Sequence, residues 1–168
     1  MKKILNILKY LSFIVFVLFI VFTVGGLVIK SKGQIDINRT ALLNEKGKLA
    51  LDQNGRKIEY FTYGGLDTNS PAVINIHGSG LDGTFERFVN EKVCKELNVR
   101  GVAISLPGYG NTDMKIGRSV INWAFEDLNA VLKQENINKF IITGHSQGNP
   151  HAMAAAFHFH DRCVGLGM

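Results

Sequence analysis

Residues 141–148 read Ile141-Ile142-Thr143-Gly144-His145-Ser146-Gln147-Gly148, a β-branched apolar run that ends in G-x-S-x-G. The run predicts a strand, and the stretch from Pro150 onward predicts a helix, so Ser146 falls on the turn between them. In so tight a turn the serine takes a strained backbone and stands clear of the sheet, where its hydroxyl can meet a substrate. Gly144 and Gly148 have a steric role, because a Cβ at either flank would strike the neighbouring strand or helix. Ser146 is therefore the candidate nucleophile.

Outward from this turn, strands and helices alternate. Residues 139–143 form the strand that enters it. Before it, 119–134 carries the clearest helical spacing in the chain. Val120, Trp123, Ala124, Leu128, Val131 and Leu132 keep one stripe apolar, and Glu126, Asp127 and Lys133 are predicted to face out. Residues 101–106 are an apolar strand halted by Pro107-Gly108-Tyr109-Gly110, and 85–98 have helical spacing. Residues 72–77 are a short buried strand closed by Gly78-Ser79-Gly80. Asn54-Gly55 between two strand-like runs predicts a hairpin in which both turn residues take positive φ. Residues 64–71 read as a turn-rich loop. After the elbow come a helix over 150–160 and the beginning of a further strand over 164–168. An opening hairpin followed by this alternation predicts an α/β fold, a mostly parallel sheet with helices on both faces.

The net charge of +5 has a local origin. Residues 1–32 hold Lys2, Lys3, Lys9, Lys30 and Lys32 and no acid, so 14 of the 19 basic residues remain beyond them, equal to the 14 acidic ones. No basic excess is left for the folded part, and a nucleic-acid footprint is excluded. Residues 11–29 carry no charge. At about 1.5 Å rise per residue they nearly span a hydrocarbon core of roughly 30 Å, and residues 4–8 lengthen the span. An uncleaved anchor over 4–29 fits this length better than the shorter apolar region of a cleaved signal peptide. Lys2 and Lys3 favour a cytoplasmic N-terminus, which puts the folded part outside the cytoplasm in a single-pass arrangement. The chain thus reads as an anchor segment over 1–32, a polar linker over 33–48 and a folded domain over 49–168. Cys94 and Cys163 give neither a metal spacing nor a disulfide framework, and two buried, unpaired thiols are expected.

With H-G-S-G at 77–80, P-G-Y-G at 107–110, a long helix and G-H-S-Q-G at 144–148 in that order, residues 49–168 resemble the α/β-hydrolase family. The resemblance implies Ser146 as nucleophile. It also implies an oxyanion hole made by the backbone N–H of Gln147 and that of Ser79 or Gly80. His77, Gly78, Gly144 and Gly148 fill the structural positions of the two motifs. Asn149 departs from the small residue often found after the second elbow glycine. The implied substrate is a small ester, amide or other acyl compound, with no metal or cofactor, and Ser146 argues against relatives that replace the serine by Asp.

A serine hydroxyl needs a base during attack, and its tetrahedral oxyanion needs preorganised donors. In the family, the acid and then the His follow the serine along the chain. Here only His151, His158, His160 and Asp161 follow Ser146, and the three histidines lie on a helix that leads away from the turn. His77 and His145 are expected to be structural, His77 tying down its loop and His145 packed beneath the turn, and the divergent spacing of the helix histidines speaks against a metal site. The domain therefore reads as an incomplete hydrolase domain, expected to be inactive as this truncated chain. The alternative is a non-catalytic hydrolase-fold module tethered to a membrane, or a degenerate product. Residues 164–168 would form an exposed apolar edge strand that invites self-association.

Overall fold

The computed structural model describes residues 2–36, 47–65 and 71–168. The chain divides into two compact units, Met1–Glu45 and Lys46–Met168. In the first, α1 (Lys2–Asp36) contains a 20-residue stretch, Lys9–Val28, that is long and apolar enough to cross a membrane. Phe13, Phe16, Phe19 and Phe22 along it are all exposed. α1 continues to Asp36, past the point where the sequence reads as linker, because extending an existing helix adds a hydrogen bond without a new nucleation cost. The rest of that linker, 37–46, and positions 66–70 of the turn-rich loop lie outside the described residues.

The second unit is built from β1 (Lys48–Leu51), β2 (Lys57–Gly64), β3 (Ala72–Ile76), α2 (Gly83–Glu96), β4 (Arg100–Ile104), α3 (residues 120–134), β5 (Phe140–Gly144), α4 (Gly148–His158) and β6 (Cys163–Gly167). The strands form one sheet in the order β1-β2-β4-β3-β5-β6. β2 runs antiparallel to both its neighbours, while β4, β3, β5 and β6 pair in parallel. Each parallel crossover is made by a helix. Strand side chains alternate between faces, so the two core clusters report two covered faces. Phe61, Tyr63 and Ala103 join Cys94 of α2 on one face. Tyr60, Val102 and Ile104 join Trp123, Leu128 and Ala152 of α3 and α4 on the other. The α/β sandwich expected from the alternation is present.

The β1–β2 hairpin differs from expectation. Only Gly55 has a positive φ, at 76°, and Asn54 does not. The Asp52 carboxylate accepts from the N–H groups of Asn54 (2.8 Å) and Arg56 (2.9 Å), which closes a three-residue loop rather than the two-residue one. Gly55 N–H then donates to the Asp52 carbonyl at 3.0 Å, a type I turn followed by one left-handed glycine.

α3 carries a second correction. Its middle, Ala124–Leu128, widens into a π-helical turn. Asp127 does not face out; it is fully buried. It lies four residues from both Trp123 and Val131, on the apolar stripe itself. Its carboxylate meets the Arg56 guanidinium, which also holds Asp52 at 3.2 Å. Burial pushes Asp127 up to about 6 against the attraction of Arg56 and Lys115. Glu126 is likewise engaged, paired with Lys115, and only Lys133 of the three is exposed. Cys94 and Cys163 are both free thiols, and burial raises the Cys94 pKa.

Candidate active site

β5 ends at Gly144, and α4 begins at Gly148, so residues 145–147 make the whole connection. Three bonds fold it. His145 N–H donates to the Ile76 carbonyl of β3 (3.0 Å), Gly148 N–H to the His145 carbonyl (2.8 Å), and Asn149 N–H to the Ser146 carbonyl (3.0 Å). Ser146 adopts φ 51°, a left-handed conformation uncommon for a residue with a side chain, and it is exposed. The flanking glycines are required by packing. A Cβ on Gly148 would lie 2.2 Å from the Ile76 carbonyl oxygen, and one on Gly144 would lie 2.6 Å from the Gly148 backbone. The steric role inferred from the sequence is the one these distances describe.

The loop after β3 comes to the same place. A Cβ on Gly78 would sit 3.3 Å from the Ser146 Cβ and 3.1 Å from His145 Nδ1. Ser79 and Gly80 are exposed, and Leu81 N–H closes the turn onto the Gly78 carbonyl. Asp82 then caps α2, accepting from Thr84 and Phe85 N–H. His77, wholly buried, holds the loop from beneath. Its Nε2 accepts from Leu106 N–H at 2.9 Å, which leaves Nδ1–H to donate to the Gly78 carbonyl at 2.8 Å. Both ring nitrogens are thus committed in the neutral form, and burial lowers its pKa. His77 stacks edge-on against Tyr109 of the P-G-Y-G turn.

That turn is fastened by a residue the sequence reading passed over. Glu59 of β2 is buried, and its carboxylate accepts from Ser105 Oγ (3.0 Å), Asn111 N–H (3.0 Å) and Asn111 Nδ2 (2.6 Å). Thr112 Oγ1 completes the clasp, accepting from Glu59 N–H and donating to the Ser105 carbonyl. Tyr109 OH reaches Gln147 Oε1 at 3.3 Å, joining the turn to the elbow. Asp113 also acquires a role: it takes Lys57 N–H at 2.9 Å and anchors the start of β2.

The histidines near the elbow are occupied elsewhere. His145 is exposed rather than packed beneath the turn, since it lies past Gly144, the last residue of β5. His151 Nδ1 bonds the Gln147 carbonyl at 3.1 Å, and its ring meets Trp123 edge-on. His158 lies against Phe125 and Phe159, and His160 is exposed. Among the described residues, none donates to or accepts from the Ser146 hydroxyl, and no three metal-ligating side chains cluster.

Residues 63–168 match the alpha/beta hydrolase family of unknown function DUF1057, well over half of the chain. The chain belongs to the alpha/beta hydrolases. Among solved structures, this alpha/beta hydrolase is similar to a malate-bound thermophilic esterase from Thermogutta terrifontis. The two share 24% identity and a TM-score of 0.61 over 73% of this chain and 44% of the esterase. It is also similar to a mutant meta-cleavage product hydrolase from Pseudomonas fluorescens, complexed with acetates (24% identity, TM-score 0.62, 72% and 43% covered). An epoxide hydrolase from an endophytic Streptomyces matches at 21% identity and TM-score 0.59, over 72% and 35%. The chain therefore spans less than half the length of each. At these identities the likeness is one of fold. No curated protein matches the sequence.

Proposed function

We propose that this alpha/beta hydrolase is a serine hydrolase acting on a small ester, amide or other acyl substrate. Ser146 Oγ attacks the carbonyl carbon while a base takes its proton, and the carbonyl oxygen becomes an oxyanion. The N–H groups of Gln147 and Ser79 receive that oxyanion, helped by the positive end of α4. The leaving alcohol or amine takes the proton, and water then hydrolyses the acyl-serine. The observation that supports this reading is the left-handed φ of Ser146 between two glycines packed too closely for any Cβ.

The base is the open part, since the Ser146 hydroxyl has no His partner among the described residues. That same observation favours a second reading, a non-catalytic hydrolase-fold module. Fluorophosphonate labelling of the full chain in membranes, with the adduct mapped by peptide mass, separates the two. An adduct on Ser146 that Ser146→Ala abolishes supports the hydrolase; folded chain that stays unlabelled supports the module. Turnover by the 168-residue chain alone is expected to be weak, because a serine without its base keeps only residual catalysis.

We read α1 as a single-pass anchor with Lys2 and Lys3 in the cytoplasm and the hydrolase unit outside it. Protease added to intact cells or right-side-out vesicles distinguishes the sides: digestion of the unit only after lysis would reverse the orientation, and a chain cut after residue 25 would make α1 a signal sequence. The outer edge of β6 is further read as a surface for self-association.

A further inference from the structure

Residues 113–118 lead from the P-G-Y-G turn towards α3, and they lie at the end of the sheet that carries the elbow, since β4 and β5 both run parallel to β3. Their charged groups are committed to the fold. Asp113 N–H donates to the Lys57 carbonyl at 3.0 Å, and its carboxylate accepts from Lys57 N–H at 2.9 Å. The Arg56 guanidinium donates to the Asp113 carbonyl at 3.1 Å. Lys115, largely withdrawn from water, pairs with Glu126 on the widened turn of α3. Arg118 donates to the Pro107 carbonyl at 2.7 Å. The apolar side chains between these bonds point the other way. Met114 is 66% exposed and Ile116 98%. Met114 lies over the P-G-Y-G turn, where a Cβ on Gly108 would come 2.7 Å from its methyl group. Ile121, in the first turn of α3, adds a third large apolar side chain, also exposed.

A single exposed isoleucine is ordinary. A short loop that ties down its charges and holds out its apolar residues is not, because a backbone bonded at both ends cannot tuck them away. Such a loop suits a surface that is apolar within and polar at its rim, as a phospholipid bilayer is. The Arg118 side chain is exposed at the end of the loop, and a guanidinium carries donors enough to meet a headgroup phosphate as well as Pro107. The tether supplies the bilayer. From Asp36, the last residue of α1, to Lys48, the first of β1, the chain advances twelve residues, which fully extended span at most about 40 Å. A bilayer crossed by Lys9–Val28 therefore stays within reach of the second unit at high effective concentration, whereas a protein partner would have to arrive by diffusion. We propose that Met114 and Ile116 insert into the interface of the bilayer that α1 crosses, with Arg118 on headgroup phosphates; this docking rests on α1 being a membrane anchor.

Methyl NMR of the full chain, ¹³C-labelled at Ile and Met and held in phosphatidylcholine bicelles, tests it. Doxyl-labelled phosphatidylcholine is expected to broaden the Met114 and Ile116 methyl signals, and a gadolinium chelate in the water to leave them sharp. Ile116→Ser should return the Met114 signal, while buried Ile74 stays unchanged and reports an intact fold. Broadening of both methyls by the chelate and not by the lipid overturns the docking. Broadening by neither also overturns it, by placing protein over the loop. Ile14 and Ile20 of α1 keep the two readings apart. If the lipid label broadens them while the chelate broadens Ile116, the anchor stands and the docking is removed. If the lipid label leaves them sharp, the anchor is removed and the docking with it.

Discussion

Ser146 holds a left-handed backbone, at φ 51°, that costs a residue with a side chain about 1–3 kcal/mol. Ser146→Gly should therefore raise stability by about 1 kcal/mol relative to Ser146→Ala in thermal melts, while both variants lose the fluorophosphonate adduct. The strain is sustained by packing at Gly148, where an added Cβ has no room beside the Ile76 carbonyl. Gly148→Ala is expected to lower stability by about 3 kcal/mol and to suppress labelling of an intact Ser146, since backbone must shift to admit the methyl. Asp127 gives a pH signature. Its folded pKa, about 6, lies above its ordinary value of 3.8, so the folded state binds the extra proton between those pH values. Stability from this group is present below pH 4 and falls as the pH rises to 6. The advantage of wild type over Asp127→Asn should accordingly shrink between pH 4 and pH 7, by on the order of 2 kcal/mol, in paired denaturant titrations. The elbow was legible because glycine spacing and a β-branched run each constrain backbone locally. Asp127 was not, since its charge argued for water while its spacing placed it on the buried stripe, and spacing prevailed once Arg56 supplied a partner.

Between elements, the P-G-Y-G turn shows where sequence reading stops. Proline and glycine announce a turn, but its fastening lies on β2, where Glu59 accepts three hydrogen bonds from residues 105 and 111. No local pattern links residues so far apart in the chain. Glu59→Ala should leave the buried Ser105 hydroxyl without its acceptor, release Asn111 and destabilise the unit by about 2 kcal/mol in chemical denaturation, with Glu59→Gln costing less because one acceptor oxygen remains. Through Tyr109, a loosened turn should also disturb Gln147. The hairpin teaches a related point. Asn54-Gly55 identified the reversal correctly, but Asp52, with a carboxylate able to cap two N–H groups, selected the longer loop. Side-chain competition of this kind is hard to weigh from a dipeptide signal alone.

For the molecule as a whole, the alternation of strands and helices carried the fold class, while the strand order and the antiparallel entry of β2 between β1 and β4 needed the structure to place them. β6 ends the sheet with Val164, Leu166 and Met168 exposed, alternating with Gly165 and Gly167 that pack over β5. If that edge pairs with a second copy, Leu166→Lys should reduce the particle mass of the full chain measured by light scattering in detergent. An unchanged mass would make the edge inert in association.

The bond from His145 to the Ile76 carbonyl has a consequence in time as well as space. It joins the ends of two neighbouring strands, β3 and β5, whose sequences are separated by α2, β4 and α3. A nascent chain that ends with α3 contains the residues of the Ser79 loop and of the Glu59 clasp but not Ser146. Closing the serine turn onto Ile76 requires β5 to pair with β3, a long-range contact of the kind that slows folding. The shape of the serine turn is thus a property of the β3–β5 pairing, and a copy in which those two strands are apart lacks it.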